Sequence, residues 1–308
     1  MYDFYFGLMQ IIGVHTLLGL SAYVLLLTGQ VSMAQAGFFA VGAYVAGMLT
    51  AMFGFHILPA VVLAGMLSAI VACIVGFPAL RVHGLMLVIA TLAFGEMVRL
   101  FFFNFKFQVE RNGVMIGPDG AEGFRAIRFF PQNGWETWHV TMFVWAIVIV
   151  VMAALWWMDR TRTGAVLRAV GHDETAARSI GLNLTAVKVG AMTLGGLIAG
   201  IGGGIYAHTV THVEHLTFGV LLATFAIAYP ILGGLGSVFG TLLAVIFIQG
   251  FIVEGLRFLG DWRNLLFGAL ILLAMNLRPK GLLGERVLRL SDLFRRPAPQ
   301  TDEAKEPG

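Results

Sequence analysis

A succession of long apolar runs is the feature that most restricts how this chain can fold. A helix needs about 17–25 mostly apolar residues to cross a bilayer. The chain is 58% hydrophobic and 12% charged, about half the charged share of a soluble domain. We therefore expect an all-α polytopic membrane protein. The runs predict nine spans, with eight or ten as alternatives, near residues 8–27, 33–53, 57–77, 85–103, 140–158, 187–207, 218–235, 239–258 and 264–277.

The distribution of Lys and Arg predicts the orientation. The polar run 159–188 carries more basic than acidic residues, and such loops are enriched on the cytoplasmic side. Counting spans from this run places the N-terminus outside, residues 104–139 in an external loop and the arginine-rich C-terminus in the cytoplasm. No basic residue precedes the first apolar run, so we expect it to remain as a span and not to be cleaved as a signal peptide. Residues 1–296 form one transmembrane domain in this interpretation, and the Pro-rich segment 297–308 forms a disordered cytoplasmic tail.

A short helix is predicted inside the run 159–188. Asp173 is a suitable N-cap, Glu174 suits the positive end of the helix dipole, and Gly181 suits a left-handed C-terminal position. The helical spacing predicts a small apolar face made of Ala176, Ala177 and Ile180. A helix of this kind on the cytoplasmic face of a membrane protein is suited to docking with another subunit.

Polar residues interrupt the apolar pattern between the first two spans. They are Thr28, Gln30, Ser32 and Gln35. Irregular backbone at membrane depth is tolerated beside protein or water, so this segment is interpreted either as a broken helix lining a permeation path or as an ordinary short turn.

An ionisable pair lies within the fourth span. Glu96 and Arg99 are three residues apart and share a helix face. Charges inside a membrane usually pair or serve a function. The pair is interpreted as a structural ion pair near the outer interface or as a lining of the transport pathway.

Glycine is concentrated in the span 187–207. Gly196, Gly200 and Gly204 repeat at intervals of four, a spacing that lets helices approach closely. None of the glycine runs ends in Gly-Lys-Ser/Thr, so we expect no ATPase site in this chain.

Three histidines give the one metal-like spacing in the sequence. His208, His212 and His215 would share a helical face, with Glu214 among them. Because the preceding span ends near residue 207, we place them in an external turn and expect no metal. The single cysteine, Cys73, excludes a disulfide framework within the chain. No hydrolase or metalloprotease motif is present, so an enzyme is not expected.

The predicted docking helix resembles a known element. The pattern Glu174-x-Ala176-Ala177-x-x-x-Gly181 is similar to the EAA loop of ABC importer permeases, which docks on the ATP-binding subunit. Further stretches share the resemblance, at residues 21–44, 87–96, 178–183, 231–240 and 277–283. Together they resemble the LivM-type permeases of branched-chain (hydrophobic) amino acid ABC transporters over nearly the whole chain.

The resemblance implies a heteromeric importer in a bacterial inner membrane. Its other members would be a LivH-type permease, two ATP-binding subunits that hold ATP and Mg²⁺, and a periplasmic substrate-binding protein; no cofactor of this chain and no nucleic acid are implied. The outer loop departs from the family's Thr-Gly-Gly-x-x-Gly-Leu run, since residues 111–120 are only loosely similar. The substrate stays open among branched-chain amino acids, urea, short amides and aromatic acids. The residues implied in ATPase coupling are Arg168, Asp173, Glu174, Ala176, Ala177, Arg178 and Gly181.

The mechanism expected from this resemblance is ATP-driven alternating access, with the docking helix moving the spans connected to it. A Glu174→Lys change should then reduce transport and weaken association with the ATPase. The candidate pathway residues are Gln30, Ser32, Gln35, Thr91 and Glu96. Two rival hypotheses are a secondary transporter that uses Glu96 as its ion site and a membrane enzyme that uses the external histidines.

Overall fold

The computed structural model describes residues 2–111 and 114–255, and isolated positions between 260 and 273. Almost all regular structure in these residues is helical. The α-helices are α1 (Tyr2–Leu26), α2 (Gln35–Ala51), α3 (Ile57–Ala79), α4 (Leu85–Asn104), α5 (Phe129–Gln132), α6 (Thr137–Arg160), α7 (Arg162–His172), α8 (Glu174–Ser179), α9 (Leu184–Val210), α10 (Val220–Gly233) and α11 (Val238–Val245). A π-helix (Ile246–Glu254), two 3₁₀ turns (Gly120–Glu122 and His215–Phe218) and a hairpin of β1 (Val109–Arg111) and β2 (Val114–Ile116) complete the described structure.

Five helices are long and apolar enough to cross a membrane, namely α1, α3, α4, α6 and α9. This confirms the class of a helical multi-pass membrane protein. The predicted count of nine is not reached in the described residues, which give five spans, or six with the bent pair below. The predicted span 33–53 corresponds to α2, whose 17 residues extend about 26 Å. The predicted span 264–277 lies almost entirely outside the described residues, as does the tail 297–308, and the orientation stays a prediction.

The predicted spans 218–235 and 239–258 form a bent pair instead of two independent crossings. The axis turns by 120° between Val220–Gly233 and Val238–Phe251. Gly234 adopts a φ of +103°, which glycine accepts without strain, and the Ser237 hydroxyl accepts a hydrogen bond from the backbone N–H of Gly240 (3.2 Å) at the start of α11. At 14 residues, α10 is about 21 Å long and shorter than the hydrocarbon core of about 30 Å. The pair is therefore one broken span or a re-entrant loop.

Helix α9 lies at the centre of the bundle, in contact with α1, α2 and α3. A Cβ atom added at Gly42 of α2 would overlap the carbonyl oxygen of Gly200, and one added at Gly203 would overlap the carbonyl oxygen of Phe39. Backbone therefore lies directly against backbone between α2 and α9. The close packing predicted from the glycine spacing is confirmed.

The segment between α4 and α6 packs at the C-terminal end of α9. Its hairpin is antiparallel, with Val109 opposite Ile116, while the predicted turn residues Asn112 and Gly113 lie outside the described residues. The backbones of Phe124 and Val213 exchange two hydrogen bonds (2.8 and 2.9 Å). This bridge fixes the segment to the turn that follows α9.

The Gly42 contact generates a stability prediction. Gly42→Ala should destabilise the protein by about 1–3 kcal/mol, because the new methyl group meets fixed backbone and forces α2 away from α9. The measurement is thermal unfolding of the purified protein in detergent. Gly7→Ala, also in a helix but facing open space, is the control and should not lower the unfolding temperature. Equal unfolding temperatures for the two variants would contradict the close contact.

Candidate functional site

Helix α8 is fixed at both ends by its own sequence. The Asp173 Oδ1 atom accepts hydrogen bonds from the backbone N–H groups of Thr175 (2.8 Å) and Ala176 (3.0 Å). Gly181 has a φ of +88°, and the chain then turns back so that the Leu182 N–H donates to the Ala177 carbonyl (3.1 Å). The predicted N-cap and left-handed C-terminal glycine are confirmed.

The predicted apolar face of α8 is wrong in part, because its three residues point in two directions. Ala177 is buried and packs with Val170 of α7 and Leu184 of α9. Ala176 is exposed, and Ile180 is 74% exposed. The residues 176 and 180 share one helix face, whereas 177 lies about 100° away. The inward face therefore seats α8 on the bundle, and the outward face is free in the described structure.

The Glu174 side chain points inward, toward the helix bundle of this chain. Its Oε1 atom lies 2.7 Å from Nζ of Lys188 in the first turns of α9 and accepts a hydrogen bond from Nε2 of Gln30 (3.1 Å). Its Oε2 atom lies 3.6 Å from Nε2 of His83 in the α3–α4 turn. Lys188 is only 3% exposed, and a buried ammonium group requires a charge partner. Glu174 thus connects α8 to three other segments, which we call the Glu174 network: Gln30, His83, Glu174 and Lys188.

The loop between α1 and α2 lies directly against the polar run 159–188. Gly29 has a φ of +72°, and an added Cβ there would lie 3.2 Å from the Gly171 carbonyl oxygen at the end of α7. A Cβ on Gly171 would in turn overlap the Leu27 carbonyl oxygen. The polar break that the sequence shows between the first two spans is therefore a junction with α7 and α8.

Arg168 fastens α7 to the end of α6. Its Nη1 atom forms an ion pair with Oδ1 of Asp159, and its Nη2 atom donates to the Asp159 carbonyl oxygen (2.8 Å). A guanidinium that binds two oxygens of one residue fixes both direction and distance. Among the residues implied in coupling, Arg168 therefore positions α7, and Arg178 is exposed on α8.

The other pathway candidates lie in the α1–α2 loop, at the start of α2 and along α4. The Thr91 hydroxyl accepts a hydrogen bond from the Met33 N–H (3.0 Å), and the Ser32 hydroxyl accepts one from the Ala34 N–H (3.2 Å). Gln35 is fully buried, and neither its side-chain nitrogen nor its oxygen has a partner in the described structure. Buried amide groups are normally satisfied, so Gln35 is the candidate best placed to accept an additional polar ligand.

Glu96 forms the ion pair that the spacing indicated. Its Oε2 atom lies 2.7 Å from Nε of Arg99, and the two side chains are 31% and 23% exposed. The carboxylate is therefore neutralised by its own helix. This geometry agrees with a structural ion pair, and a role in the pathway remains untested.

A buried polar cluster was missed in the sequence. The Tyr229 hydroxyl lies 2.8 Å from Nδ1 of His15, and Gln249 Nε2 donates to the Tyr229 oxygen (2.7 Å) and lies 3.1 Å from the same histidine nitrogen. The cluster joins α1 to both halves of the bent pair. Each residue stands alone in an apolar run, so only the fold brings them together.

The predicted external turn for the three histidines is wrong for His208. It lies inside α9, is buried, and contacts the Thr50 hydroxyl (2.8 Å) and the Gly204 carbonyl oxygen (2.6 Å). His212 contacts Glu214 (2.8 Å), and His215 packs on Phe103. Within the part of the chain that the structure describes, no group of three His, Cys, Asp or Glu side chains could hold a metal ion.

These features define a polytopic helical membrane protein with a short capped helix, α8, and no nucleotide-binding motif in its sequence. The family model described as "Branched-chain amino acid transport system / permease component" matches residues 4–275. The chain belongs to this family.

Curated relatives agree with the family. The high-affinity branched-chain amino acid transport system permease protein LivM of Salmonella typhimurium is 31% identical over 296 residues, covering 88% of this chain and 68% of that protein. LivM of Escherichia coli is 30% identical with the same coverage. The fructose import permease FrcC of Rhizobium meliloti is 29% identical over 180 residues, 55% of this chain and 49% of that protein. No solved structure matches. The chain is thus an ABC importer permease, and the hypothesis of a secondary transporter is not supported.

The Glu174 network generates a prediction by double-mutant cycle. Glu174→Gln should destabilise the permease by about 1–3 kcal/mol, because it leaves the Lys188 charge buried without a partner; this is below the full cost of breaking a buried pair because Glu174 is one-third exposed. Adding Lys188→Met should recover most of the loss. Thermal unfolding in detergent measures both effects.

The control for this cycle is the exposed pair Lys106–Asp119, whose lysine is 70% exposed. Lys106→Met should leave the unfolding temperature within the error of the wild type. Purely additive effects of the Glu174 and Lys188 substitutions would contradict the direct pairing.

Proposed function

We propose that this chain is one of two permease subunits of an importer for branched-chain or related hydrophobic amino acids in a bacterial inner membrane. Two separate ATP-binding subunits would hydrolyse ATP beneath the polar run 159–188, which we call the coupling loop, and a periplasmic binding protein would deliver the substrate on the opposite side. The names of the LivM relatives support the substrate class. The geometry of α8 supports the docking role.

The single observation that carries the docking role is the division of α8 into two faces. Its inward side is occupied by the Glu174 network and by the contact of Ala177 with the bundle. Its outward side presents Ala176 and Ile180 to solvent, and Arg178 is exposed on a different face of the helix. An isolated exposed isoleucine at the end of a capped helix suits an apolar pocket on a partner. We assign the contact with the ATP-binding subunit to this outward face and not to Glu174.

The route of coupling follows from the inward face. A displacement of α8 would be transmitted through Glu174 to α9 by Lys188, to the α1–α2 loop by Gln30 and to the α3–α4 turn by His83. The α1–α2 loop is also bonded to α4 through Met33 and Thr91. Four of the long helices are thereby connected to one short helix. A rigid connection of this kind suits alternating access, in which helices rotate as bodies.

The substrate path is proposed beside Gln35. Small-molecule sites are mostly apolar and carry a few polar groups that fix orientation. The amide of Gln35 is buried and has no partner among the described residues. Such a site suits a ligand with an apolar side chain and a small polar head.

The docking face can be tested with Ile180→Asp. Charging this exposed side chain should reduce co-purification of the ATP-binding subunits by about tenfold or more, because a buried unpaired carboxylate costs several kcal/mol at an interface. The permease itself should keep its unfolding temperature, since Ile180 is exposed. Leu216→Asp is the matched control, because Leu216 is 67% exposed and lies beyond the C-terminal end of α9, at the opposite end from α8. Undiminished co-purification of the Ile180 variant would refute the assignment.

The substrate class is tested with the complete transporter in proteoliposomes. ATP-dependent uptake of labelled leucine should be inhibited by excess isoleucine and valine, and left unchanged by excess urea or benzoate, because only the amino acids combine an apolar side chain with a zwitterionic head. The same vesicles without ATP are the control and should show no uptake. Inhibition by urea or benzoate alone would assign the transporter to a different substrate class.

A further inference from the structure

A groove lies on the side of the bundle next to the coupling loop and is not part of the Glu174 network. It has a volume of about 470 Å³. Its walls come from the end of α6, from α7 and from the first turns of α9, and include Met158, Arg162, Val166, Val187, Gly190 and Leu194. Most of this lining is apolar, and Arg162 is the charged residue in it.

The groove lies at the level of a membrane interface. Helix α6 ends with two tryptophans, of which Trp157 is 70% exposed, and the Arg160 guanidinium stacks over the Trp156 ring at 3.6 Å. Exposed tryptophans and arginines at the end of a span mark the boundary between hydrocarbon and headgroups. The groove begins at this boundary with Arg162 and extends along α9 to Leu194. From Ala186 to Leu194, eight residues further, it is about 12 Å long.

The two ends of the groove differ in chemistry, since one is apolar and the other carries the positive charge of Arg162. Gly190 has no side chain to fill the floor of the groove, and a Cβ atom added there would have no heavy atom within 4 Å. Arg162 is exposed, and its guanidinium has no ion pair or hydrogen bond to the described residues, whereas Arg168 on the same helix is bound to Asp159. An apolar slot in hydrocarbon that ends at an unpaired guanidinium is complementary to a molecule with an acyl chain and a negative headgroup.

We propose that this groove binds an anionic phospholipid. The acyl chain lies along Gly190 and Leu194, and the phosphate accepts hydrogen bonds from the guanidinium of Arg162. Basic pockets between membrane helices are a known mode of binding for such headgroups. Because α7 also carries Val170, which supports Ala177 of α8, the bound lipid holds α7 against α9 and steadies the base of the docking helix.

The test is native mass spectrometry of the intact transporter purified from membranes that contain both anionic and zwitterionic phospholipids. The wild type should retain more anionic than zwitterionic phospholipid. Arg162→Gln should lower the ratio of anionic to zwitterionic lipid roughly fivefold, because one basic side chain near the headgroups is lost. Gly190→Leu should fill the groove and remove both kinds of lipid.

Two matched variants serve as controls. Arg125→Gln removes an arginine that is 69% exposed in the α4–α6 segment, and Gly7→Leu adds a side chain at another open helical position, in α1. Both should retain lipid as the wild type does. Equal retention in the wild type and in both groove variants would overturn the proposal.

A photo-cross-linking experiment identifies the occupant directly and does not depend on retention during purification. With p-benzoylphenylalanine in place of Leu194, a large apolar residue at the end of the groove, irradiation in membranes should yield an adduct with phospholipid. An adduct with the partner permease, or with residues beyond 255 of this chain, would show that protein covers the groove and would overturn the proposal.

Discussion

Direct contact between the backbones of α2 and α9 is the constraint on which the rest of the bundle depends. Lipid tails are as apolar as leucine, so helices in a membrane gain little from hydrophobic burial and associate through close packing instead. Gly42, Gly200 and Gly203 provide that contact here. Helix α9 is thus fixed at the centre of the bundle. Lys188, near its N-terminal end, pairs with Glu174, and His208, near its C-terminal end, contacts the Thr50 hydroxyl.

The position of Glu174 changes how the coupling loop is understood. A carboxylate at the start of a docking helix invites the interpretation that it binds the partner subunit. Here the buried Lys188 and the amide of Gln30 occupy that carboxylate, and Ile180 is exposed. Loss of Glu174 would therefore act first inside the permease. A reduced association with the ATPase in a Glu174 variant would follow from the displacement of α8.

Much of the fold could be predicted from local pattern, and the remainder depends on contacts between distant residues. The starts of α3 and α4 agree with the predicted spans because each is a long apolar run bounded by polar or glycine residues. The caps of α8 were visible because capping acts within a few residues. The 120° bend after α10 was not, since hydropathy records length and not direction. The pairing of Glu174 with Gln30, 144 residues away, also has no local signal, and Gln30 was assigned to the pathway for the same reason.

The contacts that fix α8 within this chain have a consequence for assembly. Its N-cap, its glycine C-terminus, the seat of Ala177 and the Glu174 network are all supplied by this chain. The helix is consequently ordered before any ATP-binding subunit arrives, and association does not bear the entropic cost of folding it. ATP-binding subunits that dock on α8 as proposed would meet a surface whose shape persists between encounters, so folding of this helix would not limit the rate of complex formation.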